Sequence, residues 1–144
     1  MRPSHLLALA ASTVLAVSVF LPWMRVGDAG LAGVPDPSGL FVLVTGVAGL
    51  GIAAFGLVRG RDVRPWVMLA GLAALTTLVV VWRTGPATLA DRAQARAEAL
   101  AIVDGVAVQP PPAVRVGPGL VLGLVASATV FGAGLTAYGR ASRR

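Results

Sequence analysis

Four stretches of this chain, residues 6–24, 38–58, 65–82 and 117–139, contain no Asp, Glu, His, Lys or Arg. At 19, 21, 18 and 23 residues, each matches the roughly 20 apolar residues an α-helix needs to cross a hydrocarbon core of about 30 Å. The pattern predicts an all-α membrane protein: one domain, a bundle of four transmembrane helices over those residues. The first run is read as a retained span. It exceeds the apolar region of about 7–15 residues found in a signal peptide, and Leu21-Pro22-Trp23 is a poor polar flank for cleavage.

The connections differ in character. Residues 25–37 are rich in Gly and Pro, and Pro35-Asp36-Pro37-Ser38 reads as a stop followed by a helix start with Ser38 as N-cap. Residues 59–64 form a tight polar turn that leads into Pro65 at a helix first turn, which predicts an antiparallel hairpin of the second and third spans. Residues 83–116 are too many for a mere connection. Their first part, 86–104, is Ala-rich, with Leu89, Ala93, Leu100 and Val103 near a helical period. It predicts a separate amphipathic helix opened by Pro86 and ended near Gly105. Pro110, Pro111 and Pro112 then favour extended chain. The Val-x-Val pairs on either side are candidate short strands, with Met24-Arg25-Val26 as a candidate partner. A small cap of one amphipathic helix plus extended Pro-rich chain is the resulting picture.

Charge adds an orientation. All twelve basic residues are Arg, and the formal net charge is +6. Arg2, Arg59, Arg61, Arg64, Arg140, Arg143 and Arg144 fall on one side against Asp62 alone, whereas the other side carries five acids. The excess of Arg in short flanks predicts that both termini and the 59–64 turn are cytoplasmic, the cap extracytoplasmic and the location the plasma membrane. Basic residues set singly or in threes beside spans point to anionic headgroups rather than nucleic acid. Trp23, Trp66, Trp82 and Tyr138 fall at span ends, where amphipathic rings serve as membrane-interface anchors.

Small residues four apart mark the faces on which helices pack in lipid. Thr45, Gly49 and Ala53 form such a ridge in the second span, and Gly119, Gly123 and Ser127 one in the fourth. Ala128, Gly132 and Thr136 make a second small face on the fourth span, so that one face can serve the bundle and the other a partner.

Candidate chemistry is sparse. With no Cys and one His, a thiolate or imidazole metal site has no ligand set, and no cofactor motif is present. The Ser and Thr of the spans have no general base, so no catalytic residue is assigned. Asp91, Glu98 and Asp104 read as a solvated face. The span exit Phe20-Leu21-Pro22-Trp23, two outer connections, Arg-only clusters and a short Arg-rich C-terminus resemble the small four-helix membrane proteins of high-GC actinobacteria. Among these are the tryptophan-associated membrane proteins and the four-span accessory subunits of mycobacterial envelope and respiratory complexes. The loop order is also similar to that of tetraspanins, whose Cys signature is absent.

Together these features predict a non-enzymatic accessory or scaffold subunit beside a larger membrane complex. Its contacts are expected at the small-residue faces and, in the outer loop, at Arg92, Arg96 and Pro110, Pro111 and Pro112. The alternative is a small carrier or lipid-handling protein that holds an apolar ligand between its spans.

Overall fold

The computed structural model describes residues 3–27, 29–105, 107, 108, 110 and 113–135, with side chains from Leu6 onward. Tyr138, Pro111, Pro112 and Thr136 lie outside the described residues. The order is α1 (Pro3–Ser18), β1 (Pro22–Val26), β2 (Ala29–Ala32), α2 (Pro37–Arg59), α3 (Arg64–Asp104), β3 (Val114–Val116) and α4 (Pro118–Leu135). In the main helix packing, α1 and α3 each lie against α2 and α4. Three helices, α2, α3 and α4, are long and apolar enough to cross a membrane, and Leu6–Ser18 is a shorter apolar helix.

The first charge-free run is not helical to its end. Pro22 lacks the N–H that would bond the Ser18 carbonyl, and the residue before a proline is pushed toward extended backbone. α1 therefore stops at Ser18, and the run continues as β1. The all-α expectation is corrected at the same point, because β2, β1 and β3 form an antiparallel sheet in that order. β3 pairs with β1 in the register Met24–Val116, Arg25–Arg115 and Val26–Val114, the segments singled out in the sequence. β2 closes a hairpin on β1 through Gly27, whose φ of 59° suits glycine.

Two helix starts also differ from expectation. The N-cap of α2 is Asp36, not Ser38: Asp36 Oδ1 accepts the Ser38 N–H at 2.9 Å, and the Ser38 hydroxyl also donates to it. Pro37 occupies the first turn, where its missing N–H costs nothing. Pro86 opens no new helix; it lies inside α3, which runs unbroken from Arg64 to Asp104. Its missing N–H takes one donor from the helical ladder, and Gly85 before it has no Cβ to meet the proline ring. α3 is thus about 60 Å long at 1.5 Å per residue. It ends where Gly105, at φ 65°, donates its N–H to the Ala101 carbonyl.

The helices meet on small residues. Gly46 packs against the Ala16 backbone, Gly49 against Ser12, Gly71 against Phe131, Gly123 against Ser18 and Leu78, and Gly134 against Met68. Large side chains such as Val44, Phe55, Leu69, Val80 and Val125 point outward. A Cβ at Gly71 would lie 2.5 Å from the Phe131 nitrogen, and backbone cannot yield cheaply. Gly71→Ala is expected to destabilise by about 1–3 kcal/mol. Gly132→Ala, whose Cβ meets nothing within 4 Å, should be neutral or stabilising by up to about 1 kcal/mol. Thermal unfolding of both variants in mild detergent checks the contrast.

Candidate functional site at the capped end

One end of the helices carries the sheet and the far part of α3, because β1 follows α1, β2 leads into α2 and β3 leads into α4. Trp23 ties these together. The β1–β2 register is irregular between Pro22 and Met24, and a bulge there lets consecutive side chains break the in-out alternation of a strand. Trp23 and Met24 are accordingly both buried, at 3% and 4% exposure. The Trp23 indole Nε1 donates to the Ser18 carbonyl at 3.0 Å, and its ring lies against Gly33, where a Cβ would come within 2.6 Å. Val19 O accepts from Gly33 N at 3.0 Å, and Gly117 N donates to Trp23 O at 2.7 Å. Trp23 is therefore not an exposed interface ring: the unsatisfied carbonyls at the end of α1 draw its N–H inward. Trp66 and Trp82 are exposed on α3.

The predicted ridges lie inside the chain. Gly49 and Ala53 are buried, while the Thr45 hydroxyl bonds its own helix at Phe41 O (3.0 Å) and Val42 O (2.9 Å). Gly119 abuts the Leu21 and Ser18 carbonyls, Gly123 meets Ser18 Oγ and Leu78, and the buried Ser127 bonds Leu124 O. These faces are covered by neighbouring helices. The second face of α4 differs, since Ala128 is exposed and Gly132 borders open space. The 3–4–3 spacing of Gly46, Gly49, Ala53 and Gly56, all buried, escapes a search for strict spacing of four.

Above the helices, the sheet and α3 do not close fully on each other. Met24, Val26, Ala29 and Leu31 pair across β1 and β2, and all four line the space facing α3. A cavity of about 390 Å³ lies between the start of α2, the hairpin and α3, with Trp23, Met24, Val81 and Leu89 as apolar wall and Asp36 and Arg92 as charged rim. A second, of about 420 Å³, lies between Val26, Ala29 and Leu31 on the sheet and Ala93, Ala97 and Leu100 on α3, with Arg92 and Arg96 at its edge. Leu31, Leu89 and Arg92 line both, so the two form one groove. Arg92 and Arg96 thus sit together one helical turn apart. Pro110 is exposed, and neither cavity includes it.

Among the described residues, no three of His, Cys, Asp and Glu converge on a metal position. Glu98 Oε1 accepts from Gln94 at 3.0 Å, within one face of α3. The groove can hold an apolar group and meet an anion at its rim. Trp23 forms part of its wall, and Trp23→Phe, which loses the N–H and the larger ring, is expected to lower stability by about 2 kcal/mol. Denaturant unfolding in detergent reads this difference. Comparison of the chain with known protein families, curated proteins and solved structures gives no match.

Proposed function

We propose that this protein is a non-enzymatic accessory or scaffold subunit of a larger membrane protein complex. In this reading it crosses the plasma membrane four times, with both termini and the 59–64 turn cytoplasmic. The outward display of Val, Leu and Phe around small-residue contacts supports a lipid surrounding, since a perimeter so apolar is a liability in water.

The observation that carries the subunit reading is the far part of α3. Beyond Trp82, where the charge-free run ends, the helix continues for about 33 Å to Asp104. Near its end Leu100, Ile102 and Val103 are 51%, 83% and 80% exposed. Leu100 borders the groove, whereas Ile102 and Val103 line neither cavity, and exposed apolar side chains on a projecting helix are the chemistry of a protein contact. Within the membrane, the open small face of Ala128 and Gly132 allows close approach of a partner helix. The contact surface proposed here is therefore centred on Ile102 and Val103. The ridges on which the sequence placed it are already used inside the chain.

The full chain, tagged and purified in mild detergent from its native host, should bring down a membrane protein in fixed stoichiometry. Ile102→Glu with Val103→Glu should abolish that association and leave the melting profile unchanged; a clean monomer from the unaltered chain would sink the reading. Because the chain has no Cys, single cysteines introduced at Arg61 and Ala99 test the orientation. A membrane-impermeant maleimide added to intact cells should label position 99 and spare position 61.

A further inference from the structure

We propose that the groove between α3 and the sheet binds an anionic amphiphile, with its apolar chain against Trp23, Val81 and Leu89 and its phosphate or carboxylate on Arg92 and Arg96. The membrane reading supplies the ligand's source, but the site needs no partner protein.

Three observations carry the assignment. First, the groove is a gap in an interface rather than a flat patch. Ala29, Ala93 and Ala97 stand where larger side chains would close the sheet on α3, which leaves an open cleft between the two. Cavities of about 390 and 420 Å³ are of small-molecule size, roughly 300–1,000 Å³. The walls of the second are nearly all apolar and stand open, a surface whose covering by an apolar chain is favourable. Second, the charges have a direction. Among the described residues, Arg92 and Arg96 are in no ion pair, the one recorded being Arg64 with Asp62 at 3.5 Å. Asp36, at the lower rim, is held by Ser38. An anionic headgroup is repelled at Asp36 and attracted at Arg92 and Arg96, so the chain points down toward Val81. Third, the groove is continuous with the lipid-facing surface. Val81 belongs to the charge-free run that ends at Trp82, so an amphiphile of the adjoining leaflet reaches the groove without exposing its chain to water. Arg92 stands where the two cavities join, so the headgroup lies at the junction and the chain in the first cavity. The ligand position is above the spans, not between them.

Trp23 lines the first cavity and can report occupancy. In the full chain carrying Trp66→Phe and Trp82→Phe, purified in neutral detergent, its fluorescence is titrated with a brominated fatty acid, a brominated diacyl phosphatidic acid and the brominated methyl ester. Saturable quenching by the two anionic probes is expected. Arg92→Gln with Arg96→Gln, exposed changes that leave the fold intact, should weaken both at least about tenfold and leave the weak quenching by the ester unaltered. Ala32→Leu with Thr88→Leu, which fill the first cavity, should block all three probes, and if that variant fails to fold the arginine pair alone decides. Tighter binding of the diacyl phosphate assigns a membrane lipid as ligand, and tighter binding of the fatty acid a free carboxylate. Non-saturating quenching, equal affinity for the ester, or indifference to the arginine changes would overturn the site. So would an acidic apolar peptide that binds there while no amphiphile quenches. Because the purified chain is tested alone, failure here leaves the subunit reading standing, and loss of a co-purifying partner leaves the groove standing.

Discussion

The Ser18 carbonyl receives two donors, the Leu21 N–H at 3.3 Å and the Trp23 indole at 3.0 Å, and the rest of the architecture follows from that closure. A helix end leaves carbonyls without partners, and in a low-dielectric surrounding each such group is costly. α1 spans only 16 residues, about 24 Å, and its end is buried at Ser18 and Val19. Folding the chain back to cap it makes β1 the central strand, and both neighbours are then placed. β2 returns through Gly33 to the Val19 carbonyl and delivers Asp36 to cap α2, while Gly117, just after β3, bonds Trp23 O through its N–H and leads into α4. Residues 18–23 thus tie together the ends of three helices.

Below this closure, the packing inverts the size order of a water-soluble core. Glycine, alanine and serine face inward, where they let backbones touch, and Leu15, Val42, Leu78 and Leu120 fill the few wider positions. In lipid the apolar effect does not distinguish inside from outside, so close van der Waals contact has to supply the selectivity. Above the closure the order is the ordinary one, with an apolar sheet face turned toward a helix. The groove lies at the junction of these two regimes.

The charge-free runs locate α2, the first half of α3 and α4, because hydropathy over some 20 residues and helicity coincide there. They overreach at α1, since absence of charge does not make a helix and Pro22 decides where it stops. The pairing of Met24-Arg25-Val26 with Val114-Arg115-Val116 is legible from β-branched alternation, whereas β2, Ala29-Gly30-Leu31-Ala32, has no such signal and becomes a strand by pairing alone. Pro86 misleads because a proline marks a helix start by local rules, whereas here it lies inside α3, which is packed along α2 and α4. Arg92 and Arg96 are readable as neighbours on one helical face, but the groove they border is made by the sheet, which is remote in sequence. Trp23 looks like its two homologous span-end rings until the bulge turns it inward.

The cap sets like charges side by side even though its segments, 25–37 and 83–116, hold five Arg and five acids. Arg25 lies opposite Arg115 across the ladder, a juxtaposition that costs a few tenths of a kcal/mol or more when nothing screens it. Neither is in an ion pair among the described residues, and the same holds for Arg92 and Arg96. A surface of this kind is least stable facing plain water and most stable where anions are dense, as at a headgroup layer. Arginine suits the task better than lysine, because its planar fork can share one phosphate between two donors. The sheet therefore does more than close helix ends. It sets Arg25 beside Arg115 across its ladder and, with α3, borders an apolar groove edged by Arg92 and Arg96.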